Sequence, residues 1–477
     1  MLAAAFWLVA CVRAEEPAPA VRSSVKPNLL LITVDTLRAD HLSAYGYRLP
    51  TSPNLDRLAG EGVRFSDATV PWPKTWPAVA SMLTGKYPAT TGVRMYPRRP
   101  LPQDHETLAE LLSRAGYETA AVVANVNVSS KFGFDQGFDT FVESWEAGLE
   151  AATGSTTFAN DPGEVKEFTG ARVVTDQALE LLDDLAAAEP FFLWLHYIDP
   201  HGPYRPPPEY DGLWADEYEV KDVPFEAMPL YQRQYDEAGA PITNISHYIA
   251  QYDREIRFFD DQLQRLLDEL AARGLRDDTL LVLTSDHGES LDDDLYLLEH
   301  GAAPYQPTAG VPFVLVFPGR IPPGRVVEAP VGLIDLLPTL AAMLDLPSLP
   351  AVQGRSLVAT WADSPTAPND YVFLESGAYE PSQLSVRKGK WKLARLRAPR
   401  DRQMFDRREF ELYDIKADPG EENDLADSHP ALVAELQTAL NDWRSDTPPY
   451  AGPENAEMKE VDSRTQALLR ALGYVND

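Results

Sequence analysis

Two apolar runs, LLLITVDTLRAD at Leu29–Asp40 and TLLVLTSDHGES at Thr279–Ser290, each end in aspartate and lie about 250 residues apart. A short run rich in leucine and β-branched residues, with no polar face, reads as a strand buried on both sides. Such strands belong to parallel sheets covered by helices. In an open α/β sheet, ligands bind just past the carboxyl ends of the strands, where segments distant in the chain converge. The two runs therefore predict that Asp35 and the pair Asp286–His287 meet at one sheet edge. Two carboxylates and an imidazole gathered there make a divalent-cation site.

The pattern between these runs is consistent with that sheet. Strands are predicted at Asn28–Val34, Glu118–Ala124, Phe191–Tyr197, Leu280–Thr284 and Pro312–Phe317. Helices are predicted at Pro77–Leu83, Thr107–Ala115, Thr175–Ala187, Tyr248–Arg273 and Ile334–Leu344. Alternation of this kind implies an α/β fold with a doubly wound, mostly parallel sheet. Two stretches rich in proline, glycine and acidic residues, 141–170 and 203–246, interrupt it and read as surface insertions that roof the site. After residue 360 the texture changes to short strands at Tyr371–Glu375, Ser385–Lys388 and Trp391–Ala394, then a helix at Ala431–Trp443. The expected organisation is a catalytic domain over 27–360 and a smaller α+β subdomain over 361–477.

The formal charge of −31 argues against nucleic acid or an anionic membrane surface as partner, because both repel such a surface. An anionic substrate would need local cations or a metal. Residues 1–20, beginning MLAAAFWLVACVRAEE, have a short apolar core followed by small and then charged residues, as an export signal does. Val12-Arg13-Ala14 reads as a signal-peptidase site; Leu8-Val9-Ala10-Cys11 reads as a lipobox with Cys11 lipidated. Both place the protein in the periplasm or outside the cell. Cys11 is the single cysteine, so the mature body has no disulfide or thiol chemistry.

In PWPKTWPAVASMLTGKYP at Pro71–Pro88, Pro77 suits a first helical turn and places Thr75 at the cap. A hydroxyl there faces free backbone N–H groups and the positive end of the helix dipole. Alone, Thr75 is an ordinary cap. Beside a metal, the same hydroxyl becomes a nucleophile.

Taken in order, Asp35, the Thr75–Gly85 segment, His201 in HYIDPHGPYRPP and SDHGES at Ser285–Ser290 resemble the sulfatase family of the alkaline phosphatase superfamily. The resemblance continues through GVPFVLVFPG at Gly310–Gly319, IDLLPTL at Ile334–Leu340 and ELYDIKADPGEENDLA at Glu411–Ala426. It implies that Asp35, Asp286 and His287 bind a divalent metal with Thr75 as a further ligand. Calcium is implied by the family, and the donor set also suits manganese or zinc. It also implies that His201 contacts the anionic group or the leaving oxygen. His300 stands where sulfatases have lysine and phosphoethanolamine transferases have histidine. His196 and Asp199 are read as structural residues at a strand end. Trp76, Tyr204 and Tyr305 suit pocket lining and packing equally.

The departures from the family pattern are chemical. Sulfatases carry Cys or Ser followed by x-Pro-x-Arg and oxidise that residue to formylglycine. This chain has Thr75-Trp76-Pro77-Ala78-Val79, so no formylglycine is expected and the arginine is absent. Thr36 replaces the second aspartate of the Asp-Asp pair, and Asn125-Val126-Asn127 stands where Lys-x-His is typical. A formylglycine hydrate has a second hydroxyl that expels sulfate, which a threonine ester lacks. A phosphothreonine is instead resolved by in-line attack of water or an acceptor hydroxyl. The expectation is an exported hydrolase cleaving a phosphate or sulfate ester of a small molecule, glycan or lipid headgroup through Thr75. The alternatives are a true sulfuric ester hydrolase, a phosphoethanolamine- or glycerol-phosphate-type transferase, and an inactive envelope binding protein.

Overall fold

The computed structural model describes residues 26–94, 99–146, 166–188, 190–293, 296–346, 349, 351–362, 371–377, 383–397, 407–452, 466–467 and 469–470. Residues 1–25, which include the expected export signal and Cys11, and most of the insertion at 141–170 lie outside them. No helix among the described residues is long and apolar enough to cross a membrane.

The main sheet contains β1 (Asn28–Val34), β2 (Val63–Thr69), β3 (Glu118–Val123), β4 (Thr140–Glu143), β5 (Phe191–Tyr197), β6 (Thr279–Ser285), β7 (Gly310–Val316), β8 (Arg325–Val327) and β9 (Val331–Gly332). Their order is β4-β3-β5-β1-β6-β7-β2-β8, with β9 beside β2. The sheet is mostly parallel; β7 runs antiparallel to both of its neighbours, β6 and β2. Every residue of β1, β5 and β6 is buried, as their unbroken apolar runs require. Each fully buried leucine or isoleucine in these strands contributes about 1.5–3 kcal/mol.

Helices cover the sheet. They are α1 (Pro53–Gly60), α2 (Thr75–Thr84), α3 (Leu108–Arg114), α4 (Ala171–Ala188), α5 (Ile245–Ala272) and α6 (Leu336–Met343). α4 packs on β3 and β5 and against α5, while α2 packs against α6. Helix α3 starts at a capping box in which Thr107 and Glu110 satisfy each other's backbone N–H groups. The central register places the site: Thr33 lies opposite His196 in β5 and Thr284 in β6, and Val34 lies opposite Tyr197 and Ser285. Asp35 extends the ladder, its N–H donating to Tyr197 O at 2.9 Å. Asp35, His196 and Asp286 thus leave adjacent strands at one level.

The smaller α+β part holds an antiparallel sheet of β10 (Val372–Ser376), β11 (Gln383–Lys388), β12 (Trp391–Leu396) and β13 (Phe410–Asp414). Helix α7 (Pro430–Asp446) packs on it through Leu436, Leu440 and Trp443, against Leu384, Val386, Leu393 and Leu412. It docks onto segments that flank the site. Glu375 N–H donates to Pro71 O at 2.9 Å and Gly377 N–H to Gly301 O at 3.2 Å. Buried Arg387 in β11 donates through Nη1 to Asp67 Oδ1 at 2.9 Å and through Nη2 to Oδ2 at 2.5 Å, where the β2–β7 register shifts between Phe65 and Ala68.

Candidate active site

Helix α2 begins at Thr75, with Lys74 in an extended conformation at its cap. The whole helix is buried, so the Thr75 hydroxyl is fixed at the positive end of a dipole inside the protein. Its Oγ1 lies 3.1 Å from His287 Nε2 and hydrogen-bonds the Asp286 carboxyl. His287 Nε2 lies 3.6 Å from Asp35 Oδ1 and 3.6 Å from Asp286 Oδ2. The rings of His287 and His300 stack at 4.3 Å, and His201 meets His300 edge-on at 5.2 Å. The six residues singled out in the sequence, Asp35, Thr75, His201, Asp286, His287 and His300, therefore form one buried cluster.

His196 joins it, although a structural place at the strand end was the expectation. Its Nε2 is buried without a hydrogen-bond partner and lies 3.6 Å from Asp35 Oδ2. One donor atom from each of Asp35, His196 and Asp286 can be chosen so that all lie within 4.8 Å of one another. The signal was present in the sequence: a polar imidazole at the end of the otherwise buried run FFLWLHY, in a strand that pairs with β1. Asp199 is indeed structural. Its Oδ1 accepts from Lys166 Nζ at 2.7 Å and its Oδ2 from the Ala171 N–H at 2.5 Å.

Each imidazole is held by its Nδ1. His287 Nδ1 pairs with Gly288 O at 2.8 Å, His201 Nδ1 with Gly202 O at 2.6 Å, and His300 Nδ1 with Glu289 Oε1 at 3.0 Å. The Nδ1 of His196 lies 2.8 Å from Thr33 Oγ1, which also accepts from Trp194 Nε1 at 2.9 Å. A carbonyl accepts only, so His287 and His201 carry their protons on Nδ1 and present Nε2 as a lone pair. Such outer partners fix the tautomer and orientation of metal-ligating histidines.

The departures from the family pattern also have structural roles. Asn125 donates Nδ2–H to Asp35 Oδ2 at 2.5 Å, and its own Oδ1 accepts from the Asn127 N–H at 2.9 Å. Thr36 takes a left-handed conformation at φ 55°, and its N–H points at Asp286 Oδ1 at 3.4 Å. For a β-branched residue that conformation is strained. Tyr252 donates its hydroxyl to Thr36 O at 2.7 Å and helps hold it. Val79 is buried inside α2. Trp76, Tyr204 and Tyr305 are packed side chains. Trp76 lies 4.4 Å from the Phe132 ring, Tyr204 donates to Glu289, and Tyr305 donates to Glu411. From the insertion at 203–246, Tyr231 stacks near His201 at 6.3 Å and its hydroxyl donates to Leu298 O.

A family model described as Sulfatase matches residues 27–346, two thirds of the chain. The chain belongs to the sulfatase family. A second model, described as N-sulphoglucosamine sulphohydrolase, C-terminal, matches residues 302–446 of this sulfatase-family protein. It is 25% identical over 452 residues to an arylsulfatase of Clostridium perfringens, covering 85% of this chain and 91% of that one. Its fold is shared with a phosphonate monoester hydrolase of Agrobacterium radiobacter at TM-score 0.69 and 22% identity, over 88% and 96% of the two chains. It is shared equally with a protein solved with its substrate D-glucosamine-2-N,6-O-disulfate, at TM-score 0.70 and 20% identity over 90% and 100%. Family membership makes the protein a hydrolase of the sulfatase family, and the solved structures share its fold.

The electrostatics suit a bound cation. Burial alone would raise Asp35, but the imidazoles of His201, His196 and His287 outweigh it and hold the carboxyl below its usual range. Burial, and then the charge of Asp35, push Asp286 well above that range. Burial lowers His201 to about 4 and His287 to about 3. Asp35 Oδ1, Asp286 Oδ2 and His196 Nε2 are each buried without a hydrogen-bond partner. Two facing carboxyls, neutral imidazoles and orphaned oxygens match the donor set of a divalent metal, which the sulfatase family generally uses.

Proposed function

We propose that this protein cleaves a phosphorus ester with Thr75 as the nucleophile, within a site whose residues hold a divalent cation. The observation that carries the reading is the position of Thr75 Oγ1. It sits at the buried N-terminus of α2, hydrogen-bonded to Asp286 and 3.1 Å from His287 Nε2. Asp35, Asp286, His287 and Thr75 would hold the metal, and His196 would supply a donor on the Asp35 side. When bound, a divalent cation there lowers the pKa of a coordinated hydroxyl and offsets charge on the ester oxygens.

The protein's own groups account for the remaining steps. Thr75 Oγ1 forms a bond to phosphorus as the bond to the leaving oxygen breaks, and the hydroxyl proton passes to the Asp286 carboxylate. The N–H groups at the start of α2 face the charge that develops on the non-bridging oxygens. His300, whose Nδ1 faces Glu289, delivers a proton from Nε2 to the leaving oxygen, and His201 can do so only after a bound anion has raised it enough to be protonated at Nε2 as well as Nδ1. Water then attacks the phosphothreonine, releases phosphate and regenerates Thr75. His300 is oriented for this work by Glu289, whose other oxygen accepts from Tyr204 at 3.2 Å. We extend the same proposal to export of the protein through residues 1–20.

The reading favours phosphorus over sulfur because the formylglycine route needs a second hydroxyl that threonine lacks. The names of the relatives support the rival assignment, a sulfuric ester hydrolase in which water attacks directly and Thr75 only binds the metal. Turnover of paired 4-nitrophenyl sulfate, phosphate, phosphodiester and phosphonate esters, with Ca²⁺, Mn²⁺ and Zn²⁺ in turn, separates the two. Hydrolysis of a phosphorus ester that disappears in Thr75→Ala supports the proposal. Hydrolysis of the sulfate alone overturns it.

A further inference from the structure

His201 rides on the segment Asp199–Arg205, and both ends of that segment are fastened to one buried pair of side chains. Lys166, at the start of the short helix Lys166–Thr169, donates from Nζ to Asp199 Oδ1 at 2.7 Å and to Glu255 Oε2 at 2.9 Å. The other oxygen of Glu255 accepts the Arg205 N–H at 2.6 Å, and that of Asp199 accepts the Ala171 N–H at 2.5 Å. Between these fastenings, His201 donates its backbone N–H to Ile198 O at 2.7 Å. The side chains of Lys166, Asp199 and Glu255 are 7%, 2% and 0% exposed. Glu255 stands on α5 one turn from Tyr252, whose hydroxyl donates to Thr36 O at 2.7 Å and accepts the Arg38 N–H at 3.0 Å. One turn of one helix therefore holds both the loop that follows Asp35 and the loop that carries His201.

A buried ionic network of this kind is often no more stabilising than apolar side chains of the same volume, so stability alone gives it little reason to exist. Its placement supplies another. A group that acts in a reaction must be held to within about 0.5 Å of its productive position by outer contacts. Resting on the reading above, in which His201 acts on the leaving oxygen of the ester, we propose that Lys166 is a positioning residue: with Glu255 it clamps both ends of Asp199–Arg205 and so sets where the His201 imidazole stands relative to Asp35 and His300. Lys166 works through the backbone that carries the histidine, not on the ester. Because Glu255 and Tyr252 share a turn of α5, the clamp also fixes the His201 loop against the loop that follows Asp35.

The test is a double-mutant cycle on the purified full chain, with Lys166→Met, His201→Ala and the two combined. It uses whichever of the paired 4-nitrophenyl esters the parent hydrolyses. The expected result is a kcat lowered about 10–100-fold in Lys166→Met, with KM nearly unchanged. In the His201→Ala background the same substitution should cost less than about twofold, because the two residues act as one unit. If Lys166→Met does not melt like the parent, Glu255→Gln replaces it in the cycle with the same expectation, since glutamine keeps an oxygen for the Arg205 N–H. An equal loss in both backgrounds overturns the proposal: a lysine that only supports the fold lowers activity whether or not His201 is present. A folded Lys166→Met protein within about twofold of the parent overturns it too, as does a His201→Ala protein as active as the parent, which leaves nothing to position. The ester separates this inference from the proposed function. A cycle that behaves as expected on the sulfate alone would remove phosphorus cleavage by Thr75 and leave the clamp in place, whereas a parent that hydrolyses no ester overturns both.

Discussion

Asn125 donates its side-chain amide to Asp35 Oδ2 at 2.5 Å, and the Asn127 N–H in turn holds the Asn125 carbonyl at 2.9 Å. A position that is cationic in the family pattern thus serves here to orient a carboxylate from outside. Outer hydrogen bonds of this kind typically carry 10–100-fold in metal affinity or activity. Asn125→Ala should therefore weaken Ca²⁺ or Mn²⁺ binding by about that factor, read by calorimetry on the purified protein. An unchanged affinity would show that the contact is packing alone.

His196 and His287 approach Asp35 from different sides, at 3.6 Å from Oδ2 and Oδ1 respectively. If both supply donors, His196→Ala and His287→Ala each lower metal affinity, and only His287→Ala also disturbs Thr75. Equal metal affinity in His196→Ala and the parent would return His196 to the structural role expected from sequence.

Removing the metal should lower the melting temperature. The carboxyls of Asp35 and Asp286 are buried together, and a cation present at 100 times its dissociation constant stabilises the native state by about 2.7 kcal/mol. Chelation followed by differential scanning calorimetry checks this, with restoration on adding back Ca²⁺, Mn²⁺ or Zn²⁺ one at a time. A melting curve indifferent to chelator and to all three ions would sink the metal site.

Arg387 ties β11 to the irregularity in β2 through two hydrogen bonds to Asp67. Removing one member of such a pair leaves a buried charge unmatched, at a cost of about 3–5 kcal/mol. Asp67→Ala should show this loss in urea unfolding, whereas the double variant Asp67→Ala/Arg387→Met should recover part of it. No recovery would mean that Asp67 acts through the β2 backbone instead.

Long apolar strands and amphipathic helices were legible because burial on both faces leaves a continuous signature. β1 and β5 fall where the pattern places them, and α2, α4 and α5 differ only at their ends. β2 was missed because VRFSDAT mixes the polar, partly exposed Arg64, Ser66 and Asp67 into the strand, and β13, FELYD, is short and half polar. The short helix α1 carries too few turns for a periodicity to appear. At the site, Asp35, Asp286 and His287 were readable from strand ends. His196 was underweighted because a histidine in a buried run has an ordinary packing explanation, and only the pairing of β5 with β1 sets it beside Asp35. The contact of Asn125 with Asp35 was invisible because nothing local joins residues 90 positions apart.

The register of three strands has a consequence for how the chain folds. Side chains alternate across a strand, so a slip of one residue between β1 and either neighbour would send a whole row to the opposite face. With Thr33 opposite both His196 and Thr284, only the native alignment brings the two acids and the imidazole to one point. A molecule trapped one residue out of step would lack the cluster and gain nothing from the ion. On the proposed metal site, an ion would therefore stabilise only those chains whose central strands have paired correctly.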